Sequence, residues 1–130
     1  MVNIEITNNS TRGIVVWEPV FDDETFTAAG AETYVAGTVL GRLTADSKLV
    51  PYASGGAGGA EIPVAVLLDD LEADAAGDIP IRPILSGQVR ANDLIEHGVG
   101  AITSKLVFDQ LRDYSIIALS TTQLSELDNQ

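Results

Sequence analysis

Residues 37–52 run Gly37-Thr38-Val39-Leu40-Gly41-Arg42-Leu43-Thr44-Ala45-Asp46-Ser47-Lys48-Leu49-Val50-Pro51-Tyr52, a pattern that predicts a β-hairpin. Two short runs rich in apolar and β-branched residues, 38–44 and 48–52, flank Ala45-Asp46-Ser47. The Asp and Ser side chains can close a tight turn by bonding to nearby backbone. Alternation on the first arm sets Val39, Gly41 and Leu43 on one face and Thr38, Leu40, Arg42 and Thr44 on the other. One face is expected inside and the other partly wet. Pro51 has no N–H to give a ladder, so the second arm ends there, bends there or runs along a sheet edge.

Downstream, Ser54-Gly55-Gly56-Ala57-Gly58-Gly59-Ala60 has no large side chain to bury and reads as an exposed, flexible loop. Ile62-Pro63-Val64-Ala65-Val66-Leu67-Leu68 is a near-continuous apolar run whose length and branching favour a buried strand. Residues 69–78 are acidic and Ala-rich, a surface turn or a single helical turn. The strand pattern resumes over 79–90, where Pro80 and Pro83 call for a sheet edge or a bent strand. A short turn at 94–97, broken by Gly98-Val99-Gly100, leads to the one convincing helix, residues 105–113. Thr103 or Ser104 can cap it, and Leu106, Val107, Phe108 and Leu111 supply its apolar side. Ile116-Ile117-Ala118-Leu119 closes the domain as a strand, and 121–130 form a polar, acidic tail carrying Leu124 and Leu127. Short strands with one late helix make a mainly β or α+β domain.

Upstream, Val2, Ile4 and Ile6 alternate with polar residues, 8–13 is a polar break, and Gly13-Ile14-Val15-Val16-Trp17-Glu18-Pro19 is an apolar burst stopped by proline. Residues 22–32 are acidic and small and read as a connector. A segment with strand chemistry ahead of such a connector is either an edge strand of its own domain or an arm that adds a strand to another protein's sheet. Trp17 is correspondingly a core plug or an anchor in a partner's pocket.

The totals narrow the function. At 130 residues one domain with a real core is expected, and 45% apolar with 20% charged residues is ordinary for a globular chain. Nineteen acidic against seven basic residues give a formal charge of −12, which repels phosphate backbones and anionic lipid surfaces, so neither nucleic acid nor membrane is an expected partner. There is no cysteine, hence no disulfide framework or thiolate chemistry, and folding in a cytoplasm is favoured. The first residues carry no signal-peptide pattern, no window is long and apolar enough to span a membrane, and the sequon matches at 8–11 mean little without a secretory route.

Catalytic and metal patterns fail on inspection. A calcium loop beginning at Asp70 needs Gly at its sixth place and Glu at its twelfth, where Ala75 and Ile81 stand. Asp22, Asp23 and Glu24 are adjacent and diverge on an extended chain, so they read as surface charge. His97 is the single histidine and reads as a surface or turn residue, and neither Ser86 nor Ser104 sits in a nucleophile elbow. The glycine-rich loops lack the residues that grip phosphates.

Ala36-Gly37-Thr38-Val39-Leu40-Gly41-Arg42-Leu43-Thr44, followed by Lys48-Leu49-Val50-Pro51-Tyr52, resembles the head decoration protein D family of tailed bacteriophages, the lambda-type capsid stabilisers. Ala65-Val66-Leu67-Leu68-Asp69-Asp70, Ser86-Gly87-Gln88-Val89-Arg90, Leu111 and Ile116-Ile117 follow in the order expected of that family. Tyr114-Ser115, where a glycine is expected, and the longer acidic tail depart from it. The resemblance implies a β-clip-type domain at 31–119, preceded by an arm at 1–30 that is mobile until bound; residues 120–130 are the acidic tail that departs from it. It also implies a homotrimer on the outside of an expanded capsid, clamping major capsid subunits at threefold and quasi-threefold positions against packaged DNA. Such a virion protein is made in the host bacterial cytoplasm and needs no cofactor, metal or catalytic residue. Capsid contact would fall to Ile4, Ile6, Ile14, Val15, Val16 and Trp17. Two other classes compete: a small trimeric β-domain enzyme of the nucleotide-hydrolase type, and a fibre-type binding module. The first needs a basic or glycine-rich C-terminal arm that 121–130 do not offer, and few aromatics speak against a sugar site in the second.

Overall fold

The computed structural model describes residues 15–120, with the side chains of 15–18 outside the description. In chain order come β1 (Val15–Phe21), β2 (Glu24–Ala28), β3 (Glu32–Tyr34), β4 (Val39–Arg42), β5 (Leu49–Pro51), β6 (Pro63–Val66), β7 (Leu71–Ala73), β8 (Gly77–Ile81) and β9 (Ile84–Arg90). A 3-10 turn (Ala91–Asp93), β10 (Ile95–Glu96), β11 (Gly100–Ala101), the helix α1 (Lys105–Asp113) and β12 (Ile116–Leu119) follow. This is the mainly β, one-helix domain that the sequence predicts. The main sheet has eight strands in the order β1-β9-β6-β4-β5-β2-β8, with β12 added to β9 in parallel. Two ribbons, β3-β7 and β10-β11, stand apart from it.

The hairpin at 37–52 forms as β4 and β5, with Leu40 opposite Pro51, Gly41 opposite Val50 and Arg42 opposite Leu49. Asp46 closes its turn by accepting from the Lys48 N–H at 3.0 Å, and Ser47 takes a positive φ of 65°. β5 ends at Pro51, one of the outcomes allowed by a residue without a donor.

The expectation of one wet face is corrected. Thr38, Val39, Leu40 and Gly41 are all buried, because β4 has a core on each side. Val39, Val66 and Ile84 point into one cluster with Leu94, Leu111 and Ile116. Their neighbours Leu40, Ala65 and Leu85 face the other, which holds Phe26, Tyr34, Leu49 and Leu67. The strands β4, β6 and β9 are therefore a wall between two cores, which is why their residues run continuously apolar. Leu43 is only half-buried, beyond the end of the wall.

Three further expectations change. Residues 24–28, read as connector, are a strand that pairs with β8 and buries Phe26 and Ala28. Residues 71–73, read as a turn or helical turn, form β7 against β3, because Tyr34 and Ala73 alternate into the second core. The Ser54-to-Ala60 loop is exposed over 54–58, but its end is pinned against β4 by a bond from the Thr44 N–H to the Gly58 carbonyl at 2.9 Å. Gly59 has φ +110°, and a Cβ there would lie 2.0 Å from the Arg42 carbonyl oxygen, so the close approach requires glycine.

Helix α1 spans the predicted residues with Ser104 at its N-cap, although the Ser104 side chain makes no capping bond. Val107 and Leu111, one turn apart, are buried and Phe108 packs beside them, whereas Leu106, expected on the apolar side, is 67% exposed. Pro80 lies in β8, the outermost strand of its side, and Pro83 separates β8 from β9.

Candidate functional site

The sequence places capsid contact on six residues near the front of the chain. Ile4, Ile6 and Ile14 lie outside the described residues, as does the tail at 121–130. Val15, Val16 and Trp17 lie on β1, whose backbone runs antiparallel to β9 with Val15 opposite Val89 and Trp17 opposite Gln88. Among the described residues β1 is an edge of the main sheet, held on one side alone. Its register with β9 shifts between Val15 and Trp17, between Trp17 and Val20, and again between Val20 and Phe21. Such irregular pairing leaves ladder donors and acceptors uncommitted, the condition under which an edge accepts or exchanges a partner. At its end, Phe21 packs on the helix-side core.

Beside β1 lies a shallow groove lined by Val20, Ser86, Gln88 and Ile117, with Val20 53% exposed. A second groove, on the far side of β9, is formed by Ile62, Val64, Leu85, Tyr114 and Arg42. The β9 main chain bends between them. Gly87 takes φ +123° and donates to the Ser115 carbonyl at 2.9 Å, where β9 leaves β6 and takes up β12.

Polar contacts brace the body behind these surfaces. Arg42 grips both carboxylate oxygens of Glu24 at 2.9 and 3.0 Å and donates to the Ser47 carbonyl at 2.8 Å, tying β2 to the β4–β5 turn. The Glu24 bonds, and secondarily its charge, raise the Arg42 pKa. Glu24, expected as loose surface charge, thus has a structural task. Lys48 and Asp78 join the hairpin turn to β8 at 2.5 Å, a bond that holds Asp78 below the usual carboxylate range. His97, in the β10–β11 turn as expected, lies 2.8 Å from Glu32 and stacks on Tyr34 with ring centroids 4.5 Å apart. Tyr34 donates to Glu32 at 3.0 Å and accepts from the Ala29 N–H. The His97 bond first, and the Tyr34 bond next, lower the Glu32 pKa. Burial raises that of Tyr34.

The remaining carboxylates near these contacts bond to backbone and hydroxyl groups. Asp70 accepts from the Ala36 N–H at 2.8 Å, and Glu96 caps the Ser54 N–H and hydroxyl at 2.8 and 3.0 Å. Among the described residues there is no group of three or more His, Asp or Glu that could hold a metal, and no helix long and apolar enough to cross a membrane. What this chemistry supports is a braced body with an irregular edge strand and two shallow apolar grooves. Sequence reasoning missed the grooves because their walls come from β6, β9 and the α1–β12 turn, far apart in the chain.

No curated protein matches the chain. The family model of bacteriophage lambda head decoration protein D matches residues 8–116, which takes in every element from β1 to α1 and the start of β12. That span and the β-rich fold with its single helix agree with the resemblance carried by the hairpin, and the chain accordingly belongs to the bacteriophage lambda head decoration protein D family, whose members are structural components of the phage capsid.

Proposed function

We propose that the chain is a homotrimeric clamp on the outside of an expanded capsid, without catalytic activity. It binds at threefold and quasi-threefold positions and holds neighbouring major capsid subunits together against the pressure of packaged DNA. The observation that carries this reading is family membership over residues 8–116. The edge position and broken register of β1 support the front of the chain as the part that engages the capsid. Main-chain pairing would supply affinity there, with alternate side chains among Ile4, Ile6, Ile14, Val15, Val16 and Trp17 filling pockets. Three such arms on one body raise each other's effective concentration, so a modest contact becomes stable attachment. A charge of −12 keeps an abundant free protein dispersed in the host bacterial cytoplasm and off the genome.

Removing residues 1–20 tests this reading, because the cut spares Phe21 and its packing on the core. The truncated protein is expected to keep its fold by circular dichroism and to stop co-sedimenting with expanded capsids. Undiminished co-sedimentation overturns the arm as the capsid contact.

A further inference from the structure

We propose, building on the trimer reading above, that copies of this chain meet through a carboxylate-free belt formed by the two grooves on either side of the β9 bend. Each copy carries nineteen acidic residues and a charge of −12, so two copies repel each other wherever their carboxylates are brought together. A contact between copies needs surface that is both apolar and free of acids. Two other grooves on the described surface hold acidic side chains, Asp69 and Asp70 in one, Glu61 and Glu96 in the other. The groove of Val20, Ser86, Gln88 and Ile117 holds none, nor does that of Ile62, Val64, Leu85 and Tyr114. The charged side chain lining the belt is Arg42, and Glu24 already neutralises it through two hydrogen bonds.

Among the described residues, four of the seven exposed large apolar side chains lie on the same belt. Val20, Ile62, Tyr114 and Ile117 are 53%, 37%, 46% and 37% exposed and all line one groove or the other. Charge depletion together with grouped apolar and aromatic side chains is the composition of an interface centre. The two grooves differ in lining along β9, Leu85 in one and Ser86 and Gln88 in the other. A closed ring of three requires two different surfaces on each copy, one meeting the other on the next. Two dissimilar acid-free grooves meet that requirement: the Ile117 groove of one copy faces the Tyr114 groove of its neighbour.

Sedimentation equilibrium of the full chain and of four aspartate variants decides the matter. I62D and I117D place a charge on the belt, while L106D and V99D place the same charge at exposed apolar residues away from it. The expected result is a trimeric wild type, trimeric L106D and V99D, and a dissociation midpoint for I62D and I117D raised by about tenfold or more. Belt variants as trimeric as wild type overturn the belt and leave the trimer reading standing. A monomeric wild type overturns both. Should the aspartate variants misfold, the chain's lack of cysteine allows a milder probe. In the assembled protein I117C is expected to react with a maleimide more slowly than V99C by more than the difference in exposure, 37% against 76%, accounts for. A ratio no larger than that difference overturns the belt.

Discussion

β4 and β1 are both short, apolar strands of one sheet, but they are held in different ways. β4 lies between β6 and β5, has a core on each face, and keeps Val39, Leu40 and Gly41 out of water. Among the described residues β1 has a neighbour on one edge alone, and its register slips three times in seven residues. The difference divides the molecule. The wall of β4, β6 and β9 separates two cores, whereas β1 lies at the rim of the sheet. A decoration protein needs that division if its body is to stay folded while its contacts form.

The largest loss is expected at the wall. Leu40→Ala removes a fully buried side chain from the second core and is expected to cost about 2–5 kcal/mol in urea unfolding. Leu43→Ala, on the half-buried residue just past the wall, should cost well under half as much. Equal losses would mean that the wall is no more rigid than its ends. The hairpin itself was legible from its alternation, its turn residues and Pro51. Its two-sided burial was not, because a period of two says which residues share a face and not how many layers cover it. The adjacent pair Val39-Leu40 was the available hint, since a strand with one wet face seldom places two aliphatic residues in succession.

A somewhat smaller loss is expected from Gly59→Ala, where the added Cβ meets the Arg42 carbonyl and the backbone stands at φ +110°. Strain of this kind costs about 1–3 kcal/mol. Gly55→Ala, in the open part of the same loop with nothing within 4 Å, should be near neutral in the same melt. If the two behave alike, the loop end is not pinned to β4. Composition identified the loop, but it could not reveal that one of four glycines touches the wall, because the contact depends on a partner seventeen positions earlier in the chain.

Next comes the clamp between β2 and the hairpin. Glu24→Gln weakens the two-pronged grip of Arg42, and about 1 kcal/mol of stability should go with it, less at high salt. If stability and its salt dependence are unchanged, the pair is ornamental. Glu24 read as surface charge because adjacent acids on an extended chain diverge. The fold instead turns one of them onto an arginine eighteen residues later. The same limit applies to the functional surfaces. The arm's strand chemistry was visible in the chain, whereas the acid-free grooves exist only once β6, β9 and the α1–β12 turn are side by side.

The smallest effect distinguishes two polar braces, Glu32–His97 between the ribbons and Asp78–Lys48 between β8 and the hairpin turn, from the wall, which is apolar and indifferent to pH. Glu32 is held below its usual range by its bonds to His97 and Tyr34, and Asp78 by its bonds to Lys48 and Thr27. A carboxylate whose folded pKa is depressed adds stability above its unfolded value, about 4.3 for Glu and 3.9 for Asp, and that stability is lost as pH falls through the folded value. Stability contributed by these pairs should thus be full at neutral pH and fade from about pH 4.5 downward. In Glu32→Gln and Asp78→Asn this part of the dependence is absent, so the gap in urea midpoint between wild type and variant should shrink as pH falls from 7 to 3. Both carboxylates are solvent-accessible, and the gap at pH 7 is expected to be modest. A gap that stays constant across the range would mean that neither acid is held by its partners.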